Sequence, residues 1–502
     1  MKKLVVILAA FVLLNLVALG IALGTGTIST SSLAMIANTV LGFEGPRVDE
    51  TRSGEAYQLA PGFTLQIYAD NLPKARFMRF APNGDLVVTR SHAGEVVLLR
   101  KDANGDGRHD GMEVILQGLN RPHGLDFRDG WLYIAEREQV GRIRFGDDGP
   151  RGEYQALITG LTGNGNHWTK TLAFGPDGML YLAQGSTCNI CEEDDERRAT
   201  LMRFAADGSG GEVFATGLRN SVGFDWAPWD GALYATDNGR DMLGDDFPVC
   251  ELNRVEEGRF YGWPYFNDNN VPDPDMGSDP MADSRQPTPP VHGFAPHNAP
   301  LGISFVNSSN WPGDYQRVAL VALHGSWNRS TPDGYKVVSL HFTEDGIEQR
   351  DFLTGFNRDG DIIGRPVDIA QGPDGAVYVS DDYAGAIYRV STDRIAARAG
   401  IIAPKTNTLT GSAPPTWLTD NDLPAMSAAG KALYQQYNCA SCHELGENPV
   451  SLAGLAERMD YNEVMEALQA PPPPMPLVPL DEQQFRALAV FLLKAGDWGN
   501  VH

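Results

Sequence analysis

Cysteine is scarce in this chain. The 502 residues hold five: a Cys188-x-x-Cys191 pair, a Cys439-x-x-Cys442 pair, and Cys250 alone. So few thiols exclude a scaffold built from disulfides, and the lack of a second ligand pair at zinc spacing argues against a structural zinc site at Cys188 and Cys191. Positive charge is short too. The 40 Lys and Arg against 64 Asp and Glu leave a formal charge of -24, which argues against a nucleic-acid partner and against broad adhesion to anionic lipid. Long apolar runs are confined to the N-terminus, where Leu4 to Leu23, behind Lys2 and Lys3, is interrupted in polarity only by Asn15. At about 1.5 Å per residue this run spans the roughly 30 Å hydrocarbon layer. Residues 1–24 are therefore expected to be a transmembrane signal anchor in a bacterial inner membrane, with the remaining domains in the periplasm. In that oxidising location Cys188 and Cys191 are expected to form a local disulfide.

After a polar tether, residues 25–59, a helical period is also missing, and what replaces it is a repeated turn. The turn appears at Asn83-Gly84, Asp129-Gly130, Asp177-Gly178, Asp230-Gly231, Gly313-Asp314 and Asp374-Gly375, several times behind an aromatic and a proline (FAPNG, FGPDG, WAPWDG), with apolar runs such as WLYIA, MLYLA and AVYVS following. Spacings of 46, 48, 53, 83 and 61 predict propeller blades of about four strands, six in number, over residues 60–400. The longest spacing holds a Pro/Asp/Asn-rich insertion, about Gly239 to Pro300, expected to form a wall or lid at one end of the channel. Between the first two turns, Asp102, Asn104, Asp106, Asp110 and Glu113 occupy positions 1, 3, 5, 9 and 12 of a calcium loop, with Gly107 at 6. That spacing predicts a structural calcium ion.

Residues 401–423 are rich in Pro, Thr, Ser and Asn and read as a linker to a last domain, 424–502. This domain carries Cys439-Ala-Ser-Cys442-His443, two thiols placed to form thioethers with a haem and a histidine held beneath its iron. A helix before it, with Gly430 and Tyr434 on one face, and a helix capped by Asp481 with the stripe Phe485, Leu488, Ala489 and Leu492, complete a resemblance to a class I cytochrome c. The second axial ligand is expected to be Met475, presented by the stiff Pro471-Pro-Pro-Pro-Met475-Pro476 stretch. The fold class is thus an all-β six-bladed propeller with an N-terminal transmembrane helix and a small all-α cytochrome c domain.

The propeller must then supply electrons. His167, in a polar loop ahead of a strand, can accept a proton near neutral pH. Around it, HWTKTLAFGPDGMLY, GSTCNICEED, GLRNSVGFDW, ATDNGRDMLGDD, ELNRVEEGRFYGWPY, HGSWNR and GRPVDIA make residues 58–391 resemble the glucose/sorbosone dehydrogenase family, which depends on pyrroloquinoline quinone (PQQ). The resemblance implies that His167 takes the proton of the substrate hydroxyl and that Arg219 polarises the quinone oxygens. It implies that Asn220, Arg329 and Arg365 hold the cofactor's carbonyls and carboxylates, and that the turn at Gly239 and Arg240 offers backbone carbonyls to a second calcium. This chain departs from the soluble glucose dehydrogenase branch at Ser186 (Asp there), Val367 (Arg), Arg240 (Pro) and near Arg329, where a lysine is missing. Cys250 stands where an acid is expected before Glu251-Leu252-Asn253. The expected activity is PQQ-dependent oxidation of an aldose, or a sorbosone-like aldehyde or alcohol, by hydride transfer, with electrons passing to the chain's own haem c and on to a downstream respiratory acceptor. Two rival functions share the propeller: a calcium-dependent lactonase, and a non-catalytic sugar-binding electron-transfer module.

Overall fold

The computed structural model describes residues 57–306, 311–358, 360–392, 423–437, 439, 461–469, 478 and 480–495. They fall into two compact units divided after Pro404. The Leu4–Leu23 run lies outside the described residues, and no described helix is long and apolar enough to cross a membrane.

Each repeated turn begins a blade. Asp177 and Asp374 accept the backbone N–H of Met179 (3.0 Å) and Ala376 (3.1 Å), which closes the loop, and the glycines beside them sit at φ +81°, where a β-carbon is strained. Five of the six turns have this Asn/Asp-Gly form with a left-handed glycine, whereas the fifth enters a short 3-10 turn, Gly313–Tyr315. The six blades span residues 75–116, 125–159, 170–216, 224–294, 300–354 and 366–392, each an antiparallel sheet with its first strand innermost. Sheets packed on both sides need apolar residues on both faces, which is why Val318–Leu323, VALVAL, is buried at every position.

Two strands come from the chain's beginning. Phe63–Ala69 pairs with Ala386–Thr392 to finish blade 6 and close the ring. Gln58–Leu59, at the end of the expected tether, already adds a fifth strand to blade 5 through Gln58 opposite Thr354. The ring is further tied by buried carboxylates on the innermost strands of alternate blades. Asp126 accepts Phe174 N–H, Asp225 accepts Phe305 N–H and Asp368 accepts Met78 N–H, each at 2.8 Å, joining blades 2 to 3, 4 to 5 and 6 to 1.

Because strands alternate in direction, the six turns and the connections between third and fourth strands share one end of the ring. The loops that enter each blade and those between second and third strands share the other. The calcium-like loop, between Glu95–Arg100 and Gly111–Leu116, therefore lies at the opposite end from His167. Of the two forms expected for the blade 4 insertion, wall or lid, it takes the first. It forms a small hairpin, Phe266–Asn267 with Val271–Pro272, and a short helix, Pro280–Asp283, while its Arg259–Trp263 segment bonds along blade 3 at Thr216 and Gly217. It is a wall braced on blade 3, because Phe260, Tyr265 and Ala282 make an apolar cluster of their own there.

In the second unit, helices Leu423–Gln436 and Glu482–Ala495 cross where a β-carbon on Gly430 would lie 2.1 Å from the Ala487 carbonyl. Only glycine permits that approach, and Tyr434 then meets Phe491 with ring centroids 5.5 Å apart. Asp481 caps its helix as expected: its carboxylate accepts Gln484 N–H and the Gln484 side chain accepts Asp481 N–H, both at 2.9 Å. Phe485, Leu488, Ala489 and Leu492 are buried, together with Val464 and Leu468 of Tyr461–Gln469. Cys439 packs against this core and donates its N–H to Tyr434 O (3.1 Å), while Cys442, His443 and Met475 lie outside the described residues.

The carboxylate ties are directly testable. Asp225→Ala orphans the Phe305 amide in a dry interior, at a cost of about 1–3 kcal/mol. Urea unfolding of the variant is expected to show a lower midpoint with an unchanged slope; an unchanged midpoint would remove the tie from the account of ring closure.

Candidate active site

His167, Arg219, Asn220, Arg365, Asn328 and Arg329 all stand in the loops at one end of the ring. The second strands of three blades end in buried acids that hold these loops by their amides. Asp237 accepts the N–H of Arg219 (2.8 Å) and Asn220 (2.6 Å), Asp381 accepts that of Arg365 (2.9 Å), and Glu136 accepts that of Asn120 (2.6 Å). Burial pushes Asp237 up to about 7 and Asp381 up to about 6.

Gly185 brings the central residues together. A β-carbon there would sit 2.5 Å from Asn220 Oδ1 and 2.7 Å from His167 Cβ, so the three meet only because the position is glycine. His167 Nδ1 lies 2.8 Å from Ser186 Oγ and 3.1 Å from Ser186 O. The carbonyl can only accept, and the hydroxyl gives its own proton to Cys188 O at 2.7 Å. The shared proton therefore resides on Nδ1, and Nε2, which makes no hydrogen bond among the described residues, keeps its lone pair. Burial first, and then the nearby Arg219 charge, lower the imidazole to about 3. It is a neutral base at any ordinary pH.

Arg198, which sequence reasoning passed over, knits this loop pair. Buried to 2% exposure, it donates to five carbonyls, those of Gly185, Thr162, Asn164, His167 and Ser186, at 2.6–3.0 Å. In sequence it was one of two arginines in a charged run. Its neighbour Arg197 instead pairs with Asp195 at the surface, at 2.7 Å.

Arg219 is also fully engaged. Its Nε donates to Asn189 O, one terminal nitrogen to Asn238 O and Gly239 O, and the other to Asn189 Oδ1 and Asp241, all at 2.8–3.0 Å. No N–H remains for a quinone oxygen, so in this arrangement Arg219 acts as a fixed positive charge. The same contacts bear on the expected second calcium. The Asn238 and Gly239 carbonyls already accept the guanidinium, and the Arg240 side chain turns into the blade 4 insertion to grip Asp273 at 2.6 Å and Asp275. Of the two carbonyls expected to face a second calcium, that of Gly239 thus already accepts the Arg219 guanidinium.

Cofactor carboxylates find a better fit elsewhere. Arg365 spends Nε on His324 O (3.0 Å) and one terminal nitrogen on Gly325 O (2.9 Å), and among the described residues it has no carboxylate partner and its other terminal nitrogen makes no hydrogen bond. The Asn220 side chain makes no hydrogen bond among the described residues, and its Oδ1 is buried. Arg329 is tied to the Asp245, Pro296 and Thr331 carbonyls and keeps one terminal nitrogen. Beside it Trp327 is 41% exposed, a large apolar surface at the mouth. In the next blade's loop, Asp382 is held between Arg76 (2.7 Å) and His324 (2.9 Å), and Arg76 reaches His123 at 3.4 Å.

Behind Arg219 is a cavity of about 20 Å³, room for one water, lined among others by Asp237, Glu251, Gly239 and Tyr261. Burial and then the neighbouring Asp237 push Glu251 up to about 8. Cys250 next to it is buried and free, its thiol pushed up to about 11 by burial. The Cys188–Cys191 disulfide is closed, with Cα atoms 6.2 Å apart, so these sulfurs, which lie near Glu193, are not thiolate ligands.

At the opposite end, Asp102, Asn104, Asp106 and Asp110 are brought into one loop, where their oxygens accept the loop's own N–H groups at 2.7–3.1 Å. Glu113 is not brought to them. It has joined the strand Gly111–Leu116 and faces Arg100.

Comparison with known proteins places this geometry. Residues 57–270 and 267–393 match the model of a family described as TrAA12-like. An uncharacterized protein of Borreliella burgdorferi is 30% identical over 299 residues, 56% of this chain and 78% of that one. Among solved structures, a carbohydrate-active enzyme of family AA12 from Trichoderma reesei superposes with a TM-score of 0.59 at 21% identity, over 67% of this chain and 98% of that one. The holo form of a pyranose dehydrogenase PQQ domain from Coprinopsis cinerea gives 0.55 at 22% identity, over 67% and 97%.

The tautomer and the low basicity of His167 have a spectroscopic signature. With 15N-labelled histidine, its two nitrogens should show a neutral ring protonated at Nδ1 down to below pH 5. Ser186→Asp sets a carboxylate beside Nδ1–H, favours the imidazolium and should move the titration upward by a unit or more. A wild-type midpoint near 6.5 would contradict the buried, Arg219-facing environment.

Proposed function

This chain is a member of the TrAA12-like family, and on that footing we propose that it oxidises an aldose, or a related aldehyde or alcohol, by hydride transfer to bound PQQ. The observation that carries this reading is the fixed tautomer of His167, whose bare Nε2 can take the hydroxyl proton. Bound PQQ would supply the two-electron acceptor. Arg365, through its uncommitted nitrogen, and the unbonded Asn220 amide would hold its carboxylates and carbonyls, with the remaining nitrogen of Arg329 at the rim. Arg219 contributes a fixed positive charge that stabilises negative charge developing near it. Trp327 offers a flat face to a sugar ring. The pyranose dehydrogenase and AA12 names borne by the structural neighbours agree with a sugar substrate.

The second unit completes the proposal. The helix crossing at Gly430 and the placement of Cys439 on its core support a cytochrome c domain, with haem c bound through Cys439 and Cys442 and its iron held by His443 and Met475. Electrons would pass from the propeller to this haem and on to a respiratory acceptor, with Leu4–Leu23 anchoring the chain to the inner membrane. A structural calcium ion in the blade 1 loop belongs to the proposal too, held by Asp102, Asn104, Asp106 and Asp110, and by Glu113 once it leaves Arg100.

Two experiments follow from this reading. Adding an aldose to oxidised, PQQ-loaded protein without dye should reduce the haem. His167→Gln should keep PQQ and the haem spectrum yet slow reduction by about 10²- to 10⁴-fold, the usual contribution of a general base. Met475→Ala should still reduce an artificial dye while haem reduction becomes slow. Unchanged haem reduction in His167→Gln, or reduction without PQQ, would overturn the assignment. For calcium, chelation should lower the melting temperature of the wild type but not of Asp106→Ala. Equal sensitivity in the two proteins would exclude the loop.

A further inference from the structure

The His167 and Arg219 arrangements share one origin, the loop between the second and third strands of blade 3. Residues 185–199 contain no regular secondary structure, so no sheet or helix ladder fixes their backbone. Arg198 ties the Gly185 and Ser186 carbonyls and Glu193 accepts the Thr187 N–H (2.6 Å) and hydroxyl (2.8 Å), while the Cys188–Cys191 disulfide closes the short turn that carries the Cys188 and Asn189 carbonyls. Two consecutive carbonyls of the ring face the site. Cys188 O takes the Ser186 hydroxyl proton at 2.7 Å, and Asn189 O takes Arg219 Nε at 3.0 Å and Trp263 Nε1 at 3.3 Å. The Asn189 side chain is engaged as well: Oδ1 accepts from Arg219 (2.8 Å) and from Asp241 N–H (2.9 Å), and Nδ2 donates to Asp241 O (3.1 Å).

We propose that this disulfide-closed ring is the positioning element of the oxidation, fixing the proton on His167 Nδ1 through Ser186 and holding the Arg219 charge in place through Asn189. The inference rests on His167 being the proton acceptor. Its physical core is the single proton of the Ser186 hydroxyl. While Cys188 O receives that proton, Ser186 Oγ can only accept from Nδ1–H, and Nε2 is left bare. If the ring opens and Cys188 O withdraws, the hydroxyl is free to donate to Nδ1, the imidazole proton moves to Nε2, and the atom that must accept a proton is blocked. The Ser186 carbonyl alone does not prevent this, because it lies farther from Nδ1, at 3.1 Å, and also receives Arg198 at 3.0 Å. Loss of Asn189 at the same time removes two of the five acceptors of Arg219, its own carbonyl and amide oxygens, and frees the guanidinium to swing from the site.

The test uses the full-length, PQQ-loaded protein and three changes: Cys188→Ser with Cys191→Ser, Asn189→Ala with the ring intact, and all three together. Cys250 and the haem cysteines stay untouched. Each of the first two should lower kcat on the order of tenfold to a hundredfold, with KM for the sugar and PQQ affinity within about threefold, the pattern of a lost orientation. The combined variant should lose little more than the worse of the two, since both changes release the same guanidinium and loop. Asn189→Asp, which keeps the acceptor oxygen, should recover most of the rate. Multiplicative losses, or a ring-open variant with wild-type kcat whose only defect is a lower melting temperature, would show that the disulfide merely stabilises the fold. Should the ring-open variant fail to fold, Asn189→Ala against Asn189→Asp decides alone: equal rates overturn the proposal. A readout independent of turnover separates this inference from the function it rests on. In 15N spectra of the sugar-free protein, the ring-open variant should show His167 shifted toward the Nε2–H tautomer. An unchanged Nδ1–H signal overturns the ring's role even where the wild type oxidises sugar, whereas a wild type that oxidises nothing with this shift present overturns only the oxidation.

Discussion

A ring of six sheets closes only if neighbouring innermost strands keep a fixed height against one another, and that constraint is met here by carboxylates placed inside the ring. Asp126, Asp225 and Asp368 recur on every second blade, and each accepts an amide of the next blade's first strand. Burial raises all three, which costs stability for a charged group, and Arg79 is the shared charge that offsets it, touching Asp368 at 3.4 Å. Apolar packing between blades is non-directional and would tolerate sliding. A carboxylate that accepts a particular amide does not.

The same device, moved to the other end of the strands, makes the site. Asp237, Asp381 and Glu136 finish second strands, where the sheet ladder runs out and the loops that enter each blade leave amides to be satisfied. The backbones of Arg219, Asn220 and Arg365 are thus placed by their own amides, and the two guanidiniums are then aimed by the loop carbonyls that accept them. Side-chain positions so fixed depend on the rigid ring, while their chemistry can vary from one propeller to another. In this chain those positions include Ser186 beside His167 Nδ1 and Arg240 in the blade 4 wall.

Sequence made the ring legible because its turns need particular residues. At 83, 177, 230 and 374 a left-handed glycine follows an Asn or Asp that bonds two residues on, at 129 both Asp129 and Gly130 are left-handed, and each mark opens a blade hairpin. The disulfide was legible from spacing and compartment. Direction was not: nothing in GSTCNICEED says that Asn189 faces Arg219, or that of the adjacent Arg197 and Arg198 one pairs at the surface and the other is buried among five carbonyls. The calcium-loop spacing correctly placed four residues together and missed Glu113, because a motif of positions cannot see that the strand beginning at Gly111 takes over before position 12. The blade 4 insertion was visible by length, while its course along blade 3 depends on Phe260 and Tyr265 finding an apolar partner in Ala282.

The electrostatics of the site form one system and not a set of separate groups. Behind Arg219, Glu251 and Asp237 titrate far above ordinary carboxyls, because burial and their proximity disfavour two charges around one small cavity. With Glu251 held toward its neutral form, Asp241, at 3.0 Å, is the carboxylate paired directly with the guanidinium. In front of it stands His167, whose protonation the same guanidinium opposes after burial has done so. A half-buried position beside this positive charge is unfavourable for an imidazolium at His167. An anionic ligand set against Arg365 and Asn220 would reverse both terms at once, since its charge offsets Arg219 and stabilises a protonated His167. On the proposed function, the imidazole would be least basic with the site bare and would gain basicity as an anion filled it, coupling proton acceptance to ligand binding.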